Sequence, residues 1–187
     1  MEQMIDNVIA DELLPSAPTC HKPMLAAVPI FLAHLPIYRG YPVPYFVPKD
    51  ENGVYQLKYA SQEKMDNCLR YHKCSVCFKP LAKKDYWFIS GPIGLQNQTD
   101  GHPPMHQCCA EYSLKMCPHL FFEKTQRTSE EQKANHLQLL QKPKEFFLVK
   151  AKKFVQINFN GAKVIKYSSH KIVERYEYVD GELCPLA

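Results

Sequence analysis

The class this sequence predicts is α+β in a single domain, and three observations predict it. Apolar and aromatic residues alternate with polar ones over 146–159 and 163–168, and Asn160-Gly161 between these runs is a strong short hairpin signal. Helical signals are short and lie elsewhere in the chain. Ser61 suits the N-cap of a helix over about 62–72, and Thr128-Ser-Glu-Glu131 reads as a capping box opening a polar helix to about Gln141. Third, the stretch Cys74 to Cys117 holds five of the chain's eight cysteines in spaced pairs, so the segments on either side have a common centre to pack around.

In chain order, Met4, Ile5, Val8, Ile9 and Leu13 recur at helical spacing and Pro15 and Pro18 follow, so residues 1–18 are expected to carry a short amphipathic helix. Residues 19–187 form the expected domain, with a core over 68–122 and a basic β region over 144–179. Prolines at 23, 29, 36, 42, 44 and 48 exclude an interior helix there and predict extended segments and turns. Tyr41, Val43 and Tyr45 alternate with prolines as in an edge strand, and Val54 to Tyr59 alternates like a half-buried strand. Asp85 to Ser90 reads as an aromatic strand, and a Gly- and Pro-rich loop leads to a helix over Ala110 to Cys117. Residues 170–179 are open between helix and strand, and Gly181 onward reads as a tail.

The N-terminal residues are acidic where a signal peptide needs a basic start and an apolar core. The most apolar run, Met24 to Leu35, is about half a membrane span and contains Pro29. A cytoplasmic protein with reduced thiols and no membrane partner is therefore expected. In that setting, clustered Cys and His point to metal rather than disulfides.

The cluster has metal-ligand spacing. Cys74-x-x-Cys77 puts two thiolates on one tight turn, and His106-x-x-Cys109 puts an imidazole and a thiolate at a helix start, with 28 residues between the pairs. A helix N-terminus favours a thiolate, and zinc takes four such ligands tetrahedrally. The expected zinc ligands are Cys74, Cys77, His106 and Cys109, with His102, Cys108 and Cys117 as the residues able to replace one of them. Knuckle, hairpin and helix in that order make a treble-clef-like core. Cys68, Cys20, His21 and His34 read as packing or surface residues.

Several boxes in order also resemble a family of small bacterial and phage proteins. They are Pro42-Val-Pro-Tyr-Phe46, Cys74-x-x-Cys77 with Pro80-Leu81, Phe88-Ile-x-Gly-Pro92, Pro103-Pro-x-His106-x-x-Cys109-Ala-Glu-Tyr112 and Cys117-Pro-x-Leu120. Gly94 stands where that family's GPMC segment has its cysteine, and Phe78 stands where it has glycine after the knuckle. The resemblance implies architecture and a bacterial or phage origin, and carries no activity with it.

For function, a zinc-binding interaction protein that acts on a macromolecule is the leading expectation, and it is non-catalytic. The net charge of +4 is too mild to name a nucleic-acid partner by itself. Nine Lys or Arg residues over 142–175 face only Glu145 and Glu174, interleaved with aromatics. That pattern makes Lys150, Lys152, Lys153, Lys163 and Lys166 the candidate nucleic-acid contacts. The plainer reading is a half-solvated sheet with aromatics inward and lysines outward. An HNH-like nuclease would need a histidine base and a second metal; Asn97, Asp100 and His102 lie in the right loop, but Tyr86-Trp87-Phe88 occupies the place of the expected histidine pair. A zinc deaminase would need His-x-Glu and Pro-Cys-x-x-Cys boxes, and neither is present.

Overall fold

A computed structural model describes residues 28–57, 59–121, 143–159 and 161–186. The expected helices over 1–18 and 128–141, and Cys20 and His21, lie outside the described residues.

Proline spacing shapes the first described segment. A short 3-10 turn, Ile30–Leu32, sits between Pro29 and Pro36, and a two-residue ladder follows in which β1 (Ile37–Tyr38) pairs with β2 (Tyr41–Pro42). The strand expected over Val54 to Tyr59 is reduced to one bridge, Lys49 to Tyr55. Asp50 explains the reduction: its side chain accepts from the N–H groups of Asn52 and Val54 and from Gln56 Nε2, closing a tight turn where a ladder would run. Helix α1 (Gln62–Arg70) starts as its cap predicts, with Ser61 Oγ accepting from Lys64 N at 3.4 Å. It ends two residues earlier than expected because His72 turns left-handed, at φ 53°.

The main sheet is antiparallel and has the strand order β3–β5–β6–β4, with β7 added to β6. Strand β3 (Tyr86–Ser90) pairs with β5 (Glu145–Phe159), and β5 pairs with β6 (Ala162–Val179) across a two-residue turn in which Gly161 has φ 79°. The hairpin therefore forms where Asn160-Gly161 predicted it. Strand β6 runs much further than 163–168, so the segment 170–179 is strand. The expected tail after Gly181 instead turns back as β7 (Glu182–Pro185), pairing with Tyr176 to Val179.

The loop expected before His106 has its own structure. Helix α2 (Pro92–Asn97) opens with proline in its first turn, where a missing N–H is harmless, and β4 (Thr99–Asp100) joins β6 opposite Lys166 and Ile165. The sheet curls until its ends β3 and β4 meet. Buried Ser90 joins them, donating to Asp100 Oδ2 and accepting from the Tyr167 hydroxyl, each at 3.2 Å. Gly94 lies close to this seam, where a Cβ would come within 2.7 Å of the Thr99 carbonyl oxygen.

Strand β3 is buried on both faces, which is why it reads as a nearly continuous aromatic run. On one side Trp87 packs with Leu32, Leu35, Val76, Met105, Leu114, Phe146 and Leu148 around the cysteines. On the other, Tyr86 and Phe88 pack with Phe147, Val149, Ala151, Ile165 and Tyr167. Full burial of each large apolar side chain contributes about 1.5–3 kcal/mol, so the two clusters carry much of the fold. Helix α3 (Gln107–Met116) and the single turn α4 (Pro118–Phe121) close the side of the cysteine cluster.

Candidate metal centre

The turn at Cys74 to Cys77 is built by backbone bonds on both flanks. Phe78 N donates to Cys74 O at 2.9 Å and Cys74 N to Lys79 O at 2.9 Å, while Ser75 N donates to Pro104 O at 3.1 Å. The chain leaves the turn through Phe78 at φ 56°, a left-handed conformation that a bulky residue rarely adopts. Two contacts hold it there. The Phe78 ring stacks on Tyr45 with centroids 3.7 Å apart, and Lys73 Nζ lies 4.2 Å from the ring centroid.

The second ligand pair comes from the start of α3. Trp87 and Met105 exchange backbone bonds at 3.2 and 3.0 Å, which brings the chain back to β3 and aims it at the helix. His106 is the N-cap, and Cys109 follows in the first turn. The ligand atoms of Cys74, Cys77, His106 and Cys109 all lie within 4.8 Å of one another, so this cluster has the geometry to hold a metal ion. With metal–sulfur bonds of about 2.3 Å and metal–nitrogen bonds of about 2.0 Å, tetrahedral ligand atoms stand roughly 3.5–3.8 Å apart. His106 Nδ1 is 3.3 Å from Cys77 Sγ, close to that spacing.

The donors' electrostatics fit a cation. Burial penalises a Cys74 thiolate, but hydrogen bonds from the Cys109 and Cys77 thiols and from the Cys77 and His106 N–H groups outweigh it and bring its pKa down. Cys109 moves the opposite way, because its thiol donates to Cys74 and Cys77 and would lose both bonds on ionising. A divalent ion would remove that competition and let the sulfurs bind as thiolates.

Among the described residues no other group of three or more Cys, His, Asp or Glu side chains is arranged for a metal. Cys108 is exposed, Cys117 caps the C-terminal end of α3, and neither is in the cluster. Nor is His102, whose N–H donates to Asp100 Oδ1 at 2.8 Å and whose Nδ1 lies 3.6 Å from the same oxygen. Cys68 is 1 % exposed and its thiol donates to Cys74 O, as a core residue beneath the turn.

Two supporting groups had no signal in the sequence spacing. His34 Nε2 donates to Cys77 O at 2.8 Å from 43 residues away, and the Pro80 carbonyl accepts from His106 Nε2 at 2.9 Å. The second bond assigns the His106 proton to Nε2 and leaves Nδ1 free as a ligand.

The five candidate lysines have different surroundings. Lys150 pairs with Asp85 at 2.6 Å and Lys163 with Asp66 at 3.0 Å, while Lys152, Lys153 and Lys166 are exposed. Of the interleaved aromatics, Phe146, Phe147 and Tyr167 are buried, and Phe154 packs edge-on against Tyr86. Phe159 alone of these is largely exposed, at 48 %.

A comparison with known protein families, curated proteins and solved structures found no match to this chain. No helix among the described residues is long and apolar enough to cross a membrane.

Proposed function

We propose that this chain is a zinc-stabilised interaction protein, with Cys74, Cys77, His106 and Cys109 as a closed structural site of treble-clef type, and that it works by binding a macromolecule. The observation that carries this is the convergence of three sulfurs and His106 Nδ1 within one coordination sphere, with the other imidazole nitrogen already committed to Pro80. Thiolate with imidazole in a tetrahedron suits zinc. Four protein ligands leave no position for a reacting water, so the site serves the fold rather than catalysis. The order of turn, β3, return at Met105 and helix α3 supports the treble-clef reading, and a left-handed residue just after the knuckle supports the resemblance to the bacterial and phage family.

A site of this kind contributes on the order of 10 kcal/mol to folding near neutral pH. The purified full-length chain is expected to carry close to one zinc per molecule by elemental analysis, and a strong chelator should lower its melting temperature sharply. Protein that is folded without near-stoichiometric zinc would refute the reading.

The surface offered to a partner is the far half of the β5–β6 hairpin. Among the described residues, no strand pairs with the other edge of β5 from Lys152 to Phe159, because β3 stops at the Tyr86–Ala151 pair. Residues 146–173 contain six lysines and no Asp or Glu. The binding partner is therefore anionic.

A further inference from the structure

The far half of the hairpin has two unlike faces, and the register identifies them. Lys152 and Ser169 are missing from the paired positions, and Ser169 is left-handed at φ 52°. The strands turn over at this break. Before it, Phe147, Val149 and Ala151 face the body; after it, Phe154, Ile165 and Tyr167 do. Two polar residues of that inner face are engaged as well, since Gln156 and Lys163 both bond to Asp66 on α1.

The outer face is left with an apolar strip and lysines behind it. Val155 is 56 % exposed and Phe159, beside the turn, 48 %; Ile157 and its partner Val164 lie between them on the same side. Lys166 is opposite Val155, and Lys153 is two residues further from the turn.

Resting on the reading that this hairpin binds an anionic macromolecule, we propose that the partner is duplex nucleic acid, with the ribbon laid along the minor groove and Phe159 inserted at a base step. A strip of aliphatic side chains suits the sugar walls and the sparse donor pattern of a minor groove, whereas a major groove is read by several uncharged polar groups, and on this face only Ser168, opposite Lys153, is of that kind. Lysines at the end of the strip away from the turn reach phosphates, and the two strands add no carboxylate of their own there, the nearby Asp66 being paired with Lys163. One exposed aromatic at a ribbon tip is too little for a single-strand stacking platform, which needs a ring for each of several bases, but it suffices as a wedge.

The test uses the zinc-loaded full chain with a short A·T-rich duplex, the same sequence single-stranded, and phosphatidylglycerol vesicles. Preferential duplex binding is expected. With Lys152, Lys153 and Lys166 neutralising about three phosphates, affinity should fall roughly 40-fold when salt rises fourfold. The double variant Lys153→Gln, Lys166→Gln should flatten that salt dependence by about two phosphates. Phe159→Ala should keep the salt dependence and lose the bend, read by energy transfer between end labels. Equal binding to the single strand, binding to vesicles alone, or no duplex binding at low salt overturns the proposal. Zinc content and melting temperature of each sample separate these outcomes from failure of the metal reading: zinc-loaded, cooperatively melting protein that ignores the duplex sinks the ribbon and leaves the metal site standing.

Discussion

The Nε2 of His106 donates to the carbonyl oxygen of Pro80 at 2.9 Å while its Nδ1 lies 3.3 Å from Cys77 Sγ. One imidazole thus ties the exit of the knuckle to the start of α3 and presents a lone pair to three sulfurs. The carbonyl sets the tautomer, and the metal would take the nitrogen left over.

A first prediction follows from that division of roles. Replacing His106 by Ala removes the cluster's nitrogen donor, so on the proposed zinc reading zinc content and cooperative melting should both be lost. His106→Cys restores a fourth soft donor and should retain the metal. Cobalt substitution checks it: tetrahedral visible bands with sulfur charge transfer are expected for wild type and His106→Cys, and none for His106→Ala. Equal metal content in all three variants would remove His106 from the site.

Cys68 sets an alkaline limit on stability. Burial raises its pKa to about 12, with the nearby Cys74 and Cys77 sulfurs adding to the effect. Its folded-state value is above the unfolded one, so its contribution is complete below about pH 8.5 and is lost as pH rises toward 12. Denaturant titrations should show stability falling by on the order of a few kcal/mol across that window. Cys68→Ala should flatten the slope there, whatever its effect at neutral pH; an unchanged slope would exclude Cys68 as its source.

Ser75 gives a prediction of the opposite sign. Its hydroxyl is buried between the two knuckle cysteines and has no hydrogen-bond partner among the described residues. A buried polar group left unpaired costs about 1–3 kcal/mol, so Ser75→Ala should leave the melting temperature unchanged or raise it, with zinc content intact. A clear drop would mean that the hydroxyl supports the thiolates.

At Phe78 strain and packing oppose each other. Left-handed backbone costs a non-glycine residue about 1–2 kcal/mol, and stacked rings contribute about 0.5–1.5 kcal/mol. Phe78→Ala keeps the strain and loses the ring; Phe78→Gly loses both. Glycine should therefore be the less damaging substitution by about 1 kcal/mol in chemical denaturation, the reverse of the usual order. If alanine is the better tolerated, the left-handed conformation is not maintained in solution.

The four-residue cluster was legible because its information is local. CxxC fixes two thiols on one turn, and HxxC fixes two donors at a helix start, whatever the rest of the chain does. The same holds for the Ser61 cap and the Asn160-Gly161 turn. The supports of the site were not legible. His34 and the Pro80 carbonyl are brought in by packing and backbone bonding across tens of residues, and neither leaves a spacing. Strand β4 and helix α2 were hidden in a Gly- and Pro-rich run because two-residue pairing on a curled sheet has no periodicity to detect. The β7 strand was missed for the same reason, its four residues gaining their order from β6.

The amino-acid sequence by itself marked the two local donor pairs, where the long hairpin turns and where α1 begins, since each depends on residues a few positions apart; the return at Met105 brought the pairs together and left His102, Cys108 and Cys117 outside. Only the tertiary structure decided which lysines stay exposed and which are paired, and which way the hairpin faces. Those outcomes depend on Asp66 and Asp85, which lie far from the lysines in sequence, and on the break at Ser169. Beyond that break the strands turn over, so the period of two that assigns faces along a strand no longer carries across it.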